Sequence, residues 1–335
     1  MSTATKENKP ASAVQNGWFT ESEVLWAGQR MALEVKEVLY EGRSELQDIL
    51  VFESASYGKT LVLDNVIQLT EKDEAAYQEA ITHTPLQVHP CPKRVLIIGG
   101  GDGGVVRELC RQSTVEEIIQ CEIDAEVSRV AKKYFGDSIA TGYDDPRVTL
   151  LHEDGAKFLE NTDKVFDVII VDSSDPVGPA ETLFEASFFE KARNKLDPQD
   201  GILCTQGECI WLHLELIRDV MKRCGTLFPT VNYCYSTVPT YPSGQIGYII
   251  SSRNPAAQLD TPCRPISLPQ ARYYTEEIHR ASFVLPKFAE DVIGPVRKQA
   301  SVARHQVHVN SYGLAAILGG AVLTGVFLSK LTSGR

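Results

Sequence analysis

An α/β protein with an open, doubly wound and mostly parallel sheet, preceded by a small antiparallel β domain, is what this sequence predicts. Three observations carry that reading. From residue 94 onward, short apolar runs alternate with helical stretches. The runs VLIIG and FDVIIVD are apolar on both faces, as strands covered by helices on two sides must be. Before residue 72 the runs are strand-like and separated only by turn signals. With 335 residues the chain has room for about two such domains.

Residues 1–16 are polar and predict a disordered leader, with no apolar run for a secretory signal and no Arg for a transit peptide. The β domain is assigned to 17–72, with strands at 46–52 (LQDILVF), 59–63 (KTLVL) and 66–70 (VIQLT). The last two lie two residues apart across Asp64-Asn65, a hairpin signal. Asp73 is the expected N-cap of a helix over 74–82. The larger, α/β domain is assigned to 73–290, with strands at 94–98, 116–122, 148–151, 165–172 and 201–206. Helices fall between them at 104–110, 125–135, 155–160 and 187–196. A helix at 210–224 and strands at 230–237 and 245–252 complete the sheet.

Residues 291–335 are read as a linker and an apolar C-terminal helix. The 21 residues 309–329 carry no charge and are flanked by Arg304 and Lys330. As a helix they would span about 31 Å, against roughly 30 Å of hydrocarbon. They therefore predict a tail anchor in an organelle membrane with the folded domains facing the cytosol; a Gly/Ala-rich helix docked on the globule or on a partner is the alternative.

Composition narrows the function. Lys and Arg total 33 against 44 Asp and Glu, a net charge of −11. That balance disfavours nucleic acid, which needs clustered cations, and suits a cationic substrate. The eight cysteines contain no CxxC pair, and no His/Cys cluster completes a zinc site, so no metal is expected. Cys110, Cys121 and Cys204 sit in apolar runs and are expected to be buried thiols.

Four motifs carry chemistry. Ile98-Gly99-Gly100-Gly101-Asp102-Gly103-Gly104 closes a strand and opens a helix, and contains GxGxxG. Alone that spacing suggests NAD. A carboxylate within the loop, however, would repel a pyrophosphate where helix N–H groups normally receive one. Asp102 therefore points to a ligand with no phosphate and a positive charge, such as a sulfonium nucleoside of the S-adenosylmethionine type. Glu122, in Cys121-Glu122-Ile123-Asp124, ends the next strand and is placed to accept from ribose hydroxyls. Asp154-Gly155 ends the third, where the carboxylate could accept from an adenine amino group and the glycine let the backbone approach the ring. Asp172 and Asp175 follow the apolar strand on a Pro-bounded loop, at the strand edge where open α/β sheets bind ligands. All five acids should open onto one crevice. Five carboxylates together raise one another's pKa values unless a cation enters, and a di- or polycationic substrate would compensate.

The segments GGGDGG, CEID, EDG, DSSDPVGPAETLF, QGE at 206–208, PTYPSGQIGY at 239–248 and IQLTEKDEAAYQE at 67–79 closely resemble those of the aminopropyltransferases of polyamine synthesis, over about residues 17–290. The resemblance implies an N-terminal β domain joined to a Rossmann-like domain of the class I methyltransferase type, usually as a homodimer. It implies transfer of the aminopropyl group of decarboxylated S-adenosylmethionine, a co-substrate rather than a cofactor, to putrescine, giving spermidine and methylthioadenosine. By similarity Gln47, Gln78, Asp102, Glu122, Asp154 and Gly155 contact the nucleoside donor. Tyr77, Asp172, Asp175 and Tyr241 line the diamine site, with Asp172 as proton acceptor aided by the Tyr77 hydroxyl. No metal is needed, because a sulfonium is already an activated leaving group. Glu153 departs from the family's common Gly-Asp-Gly and puts an extra acid beside the adenine contact. Putrescine N-methylation, spermine or thermospermine synthesis, and a noncatalytic binding role are the alternatives on this scaffold.

Overall fold

Hairpin turns built from Asn and Gly organise the N-terminal region. In the computed structural model, which describes residues 13–22, 26, 28–173, 183 and 185–299, strands β1 (Val14–Gln15), β2 (Trp18–Thr20), β3 (Ala32–Arg43), β4 (Asp48–Ser54), β5 (Gly58–Leu63) and β6 (Val66–Thr70) form one antiparallel sheet in chain order. Asn16-Gly17 and Asp64-Asn65 all have positive φ, between +45° and +80°, the backbone twist that two-residue hairpins require. Val14 and Gln15, placed in the leader by sequence, are thus already part of the sheet, and Val14 packs against its core of Phe19, Leu50 and Phe52. The twelve-residue β3 was not assigned from sequence. Two bulges, at Val35/Glu37 and Val38/Tyr40, break its two-residue period, and its outward positions are Glu and Lys.

The second sheet has seven strands: β7 (Arg94–Gly99), β8 (Glu117–Cys121), β9 (Val148–Leu151), β10 (Val168–Asp172), β11 (Ile202–Gln206), β12 (Thr230–Thr237) and β13 (Gln245–Ser252). They lie in the order β12-β13-β11-β10-β7-β8-β9, parallel except that β13 is antiparallel to both its neighbours. Val95 and Ile97 of β7 face one core, with α1 (Glu74–Gln87) and α2 (Gly104–Cys110). Leu96 and Ile98 face the other, with α4 (Gly155–Asn161), α5 (Ala186–Asn194) and α6 (Leu214–Leu227). This is why β7 is apolar at every position from Val95 to Ile98. Helix α3 (Ala125–Phe135) turns Val127, Val130 and Phe135 toward Ile49, Val51 and Leu61 of the first sheet, so that sheet roofs the strand ends of the second.

Several boundaries move. Helix α1 runs to Gln87 through Pro85, and all fourteen residues are buried, so it has no polar face to give a period and its end was not visible. Asp73 sits at the N-cap position but does not cap. Its carboxylate instead accepts from Thr70 Oγ1 (2.6 Å), Thr240 N (2.9 Å) and Thr240 Oγ1 (2.8 Å). Strand β10 starts at Val168, and Val165 is exposed. Helix α6 starts at Leu214, after a turn over Cys209–His213. Two seven-residue helices, α7 (Glu276–Ser282) and α8 (Lys287–Ile293), were not assigned, and Lys298 beyond them pairs with Val231. Cys121 and Cys204 are buried and Cys110 half-buried. The apolar segment 309–329 and its linker from residue 300 lie outside the described residues; among the described residues no helix is long and apolar enough to cross a membrane.

Candidate active site

Between β7 and β10 the strand order reverses, and there the C-terminal strand ends open into a cleft of about 220 Å³. Gly99 and Asp172 are register partners across this gap. A Cβ on Gly99 would lie 2.1 Å from the Asp172 carbonyl oxygen, and φ is +84°, so only glycine lets the two strand ends approach. The loop is tied from below by Gln120, whose Nε2 donates to the carbonyls of Gly99 (2.9 Å) and Gly100 (2.7 Å).

Asp102 occupies its own helix start. Its Oδ1 accepts from Gly104 N at 2.7 Å and from Gln78 Nε2 at 3.0 Å. An N–H that a dinucleotide phosphate would use is already bonded to a carboxylate. Gly104 gives Gln78 room, since a Cβ there would fall 2.2 Å from its Cδ.

Asp172 ends β10, and Tyr77 reaches it from α1. The Tyr77 hydroxyl donates to Asp172 Oδ1 at 2.5 Å, while Oδ2 is buried with no hydrogen-bond partner among the described residues. Tyr241 packs its ring 5.5 Å from that of Tyr77 and donates to the Gln68 carbonyl at 2.6 Å. Asp73 fixes this pair, because its bonds to Thr240 join the Tyr241 loop to the start of α1. Asp175 lies outside the described residues.

Glu122 accepts from Asp124 N at 2.8 Å and lies against Gly101, where a Cβ would come within 2.7 Å of its Oε2. Asp124 caps α3 and accepts from Gln47 Nε2 at 2.8 Å and Ser44 Oγ at 2.6 Å, holding Gln47 at the rim. Asp154 caps α4 through Oδ1, bonded to Ala156 N at 2.8 Å. Gly155 also borders the cleft, but the close approach it makes is to Ile98, 2.5 Å from a Cβ at that position. The glycine therefore lets α4 seat closely on β7 while it borders the cleft.

Asp102, Glu122, Asp154 and Asp172 all line the one cleft, with the additional acids Glu153, Asp64 and Glu208. Burial raises the Asp172 carboxyl to about 8, with the charges of Asp102 and Glu122 adding to it and the Tyr77 hydrogen bond opposing. Burial likewise raises Glu122 to about 7. Asp102 is raised by burial too, against the Gly104 N–H and the charge of Arg107. Desolvation is thus the leading cause, and the mutual repulsion expected from the sequence adds to it at Asp172 and Glu122. Tyr77 is pushed well above the usual phenol range, mainly by burial, and so keeps its proton as a donor.

Residues the sequence reading did not single out as site residues also line this space, among them Trp26, Gln68, Gln206, Glu208 and Gln245. Gln206 and Glu208 stood in a quoted segment, QGE, at the end of an apolar strand, which was the available signal. Trp26 had none.

Residues 74–261 match the spermine/spermidine synthase domain and residues 17–71 the spermidine synthase tetramerisation domain. The chain belongs to the spermidine synthase family. It is 50% identical over 301 residues to spermidine synthase 2 of Datura stramonium, covering 87% of this chain and 94% of the relative. It is 49% identical over 284 residues to the spermidine synthase of Schizosaccharomyces pombe, covering 84% and 95%. A solved spermidine synthase in complex with the transition-state analogue AdoDATO superposes with a TM-score of 0.77 at 33% identity, covering 87% of this chain and 99% of that one. The spermidine synthase of Thermotoga maritima superposes at 0.75 with 32% identity, covering 84% and 96%. Family membership makes the chain an aminopropyltransferase, with both the small β domain and the Rossmann-like sheet of that fold.

Proposed function

We propose that the cleft transfers the aminopropyl group of decarboxylated S-adenosylmethionine to putrescine. The observation that carries this reading is the state of Asp172: one oxygen taken by Tyr77, the other buried and unpartnered, in a wall shared with Asp102 and Glu122. The acids spread along the strand ends in a usable order. Asp154 follows β9 and Glu122 follows β8, on one side of the reversal, and these take the adenine amino group and the ribose hydroxyls. Gln47, held by Asp124, and Gly155 complete the nucleoside end. Asp102 and Gln78, in the middle, face the cationic aminopropyl end. Asp172, Asp175, Tyr77 and Tyr241 take the diamine.

In the reaction the amine lone pair forms a bond to the carbon beside sulfur, the carbon–sulfur bond breaks, and its electron pair converts the sulfonium to the neutral thioether of methylthioadenosine. Putrescine arrives as an alkylammonium, so its reacting nitrogen first passes one proton to Asp172 Oδ2 to expose that lone pair, and the secondary ammonium formed by the transfer leaves with spermidine. Passing a proton from an alkylammonium near 10.4 to an ordinary aspartate costs about 9 kcal/mol; burial, which raises Asp172 to about 8 in the ligand-free cleft, lowers that cost, and the sulfonium opposes part of the gain. Burial thus supplies base strength that the bare residue type lacks. The Tyr77 hydroxyl orients the carboxylate and moderates it. Asp102 blocks phosphate at the helix start, which separates this site from an NAD site of the same spacing.

The domain division near residue 72 fits this scheme, with the first sheet supplying Gln47 and Gln68 to the cleft roof. We read that sheet also as an assembly element of a homodimer, supported by the exposed Trp18, Val38 and Leu46 on it or at its edge. Light scattering of the full chain tests the assembly. For the reaction, purified protein is offered putrescine with either decarboxylated or ordinary S-adenosylmethionine and the products are identified by mass. Spermidine with methylthioadenosine from the decarboxylated donor alone supports the reading; N-methylputrescine overturns it.

A further inference from the structure

Strand β11 lies beside β10, and the turn beyond its end carries Glu208, an acid of the cleft held, outside any hairpin turn, at positive φ. Its φ is +61°, a left-handed value that Asn or Gly tolerates in hairpins and that a glutamate adopts only at a cost. The surroundings hold it there: the Glu208 carbonyl accepts from Tyr233 Oη at 2.8 Å and Gly247 N at 2.9 Å, and Gly207 N donates to the Gly247 carbonyl at 2.7 Å. The chain then turns tightly, with Leu212 N and His213 N both donating to the Cys209 carbonyl. Trp211, at the outside of the turn, packs against Phe288 of α8 with ring centres 4.7 Å apart and the planes tilted by 43°. This turn returns His213 onto Glu208, with Nδ1 2.8 Å from Oε2. Since a carboxylate only accepts, the ring is the donor. Glu208 is buried, yet it lines the cleft; the His213 side chain is 30% exposed and does not line it.

We propose that His213 is a positioning residue: it fixes the Glu208 carboxylate at the acceptor end of the cleft, where it receives the ammonium of the diamine that does not react. The inference rests on the reading of the cleft given above. Donor groups lie on β8 and β9, to one side of Asp172, whereas Glu208 lies one strand to the other side, a spacing of about 4.8 Å. A diamine with one nitrogen at Asp172 extends toward that side. The strained backbone and the His213 bond together point the acid at a charge the reaction itself does not consume.

The test is steady-state kinetics of the full chain at saturating donor, for His213→Ala, His213→Gln, Glu208→Gln and the double variant. His213→Ala is expected to raise the putrescine KM about tenfold, the size of one charge-assisted hydrogen bond, with donor KM and kcat within about twofold. Glu208→Gln is expected to raise it at least as much, and adding His213→Ala to Glu208→Gln to add nothing. His213→Gln, which keeps a donor, should recover most of the loss. Butylamine, which lacks the second ammonium, should compete with putrescine equally well in wild type and His213→Ala. An unchanged putrescine KM, equal effects of His213→Ala with and without Glu208, or a parallel rise in donor KM overturns the proposal. A wild type that makes no spermidine removes the underlying reading instead, so the two failures are distinct.

Discussion

The Tyr77 hydroxyl stands 2.5 Å from Asp172 Oδ1, joining a fully buried helix to the strand end at which the sheet order reverses. That single bond orients the carboxylate and opposes the rise that burial causes. Tyr77→Phe removes a donor that stabilises the ionised acid, so the Asp172 pKa should rise further. The pH profile of transfer should move to higher pH and kcat fall about tenfold at neutral pH, which rate measurements across pH 6–10 will check.

Binding of the cationic donor should release protons. In the ligand-free cleft Asp172 near 8 and Glu122 near 7 hold protons at neutral pH. A sulfonium beside them favours their ionised forms, so the protons leave as it enters. Calorimetry in buffers of different ionisation enthalpy should report net release at pH 7, and donor affinity should rise between pH 6 and 8. Asp172→Asn should reduce the release.

Stability of the ligand-free protein should fall over the same range. The folded Asp172 binds its proton more tightly than an unfolded aspartate near 3.9, so its contribution is complete below pH 4 and is lost as pH rises through about 8. Melting temperature is expected to drop on the order of 5 °C between pH 6 and 9, and less in Asp172→Asn.

Gly104→Ala should act on donor binding without touching the ligand. The new Cβ would meet Gln78 Cδ at 2.2 Å, expelling the side chain that holds Asp102. We expect donor KM to rise at least tenfold while the putrescine KM changes little, measured by titrating each substrate against saturating amounts of the other.

Much of this was legible in the residues, and the exceptions have physical causes. The strands of the second sheet declared themselves because burial on both faces leaves continuous apolar runs. Asp102 could be read as hostile to phosphate because a carboxylate in a glycine loop competes for the same N–H groups, and it bonds Gly104 N. Strand β3 was missed because bulges and outward Glu and Lys erase alternation. Asp73 looked like a cap, but its partners are at residue 240, a contact no local pattern encodes. Glu208 and Gln120 escaped as individual residues for the same reason: their roles come from a backbone conformation and from a neighbouring strand. At Gly155 the sequence shows only that a side chain is missing; the close approach to Ile98 appears once α4 is packed on β7.

The account stands on Asp172 as the proton acceptor in an acid-lined cleft, and single-turnover transfer by Asp172→Asn tests it most directly. With donor and putrescine both saturating, the variant should bind the decarboxylated donor at least as tightly as one-tenth of wild type while spermidine formation slows by about a thousandfold. Spermidine formation within a few-fold of the wild-type rate would contradict it.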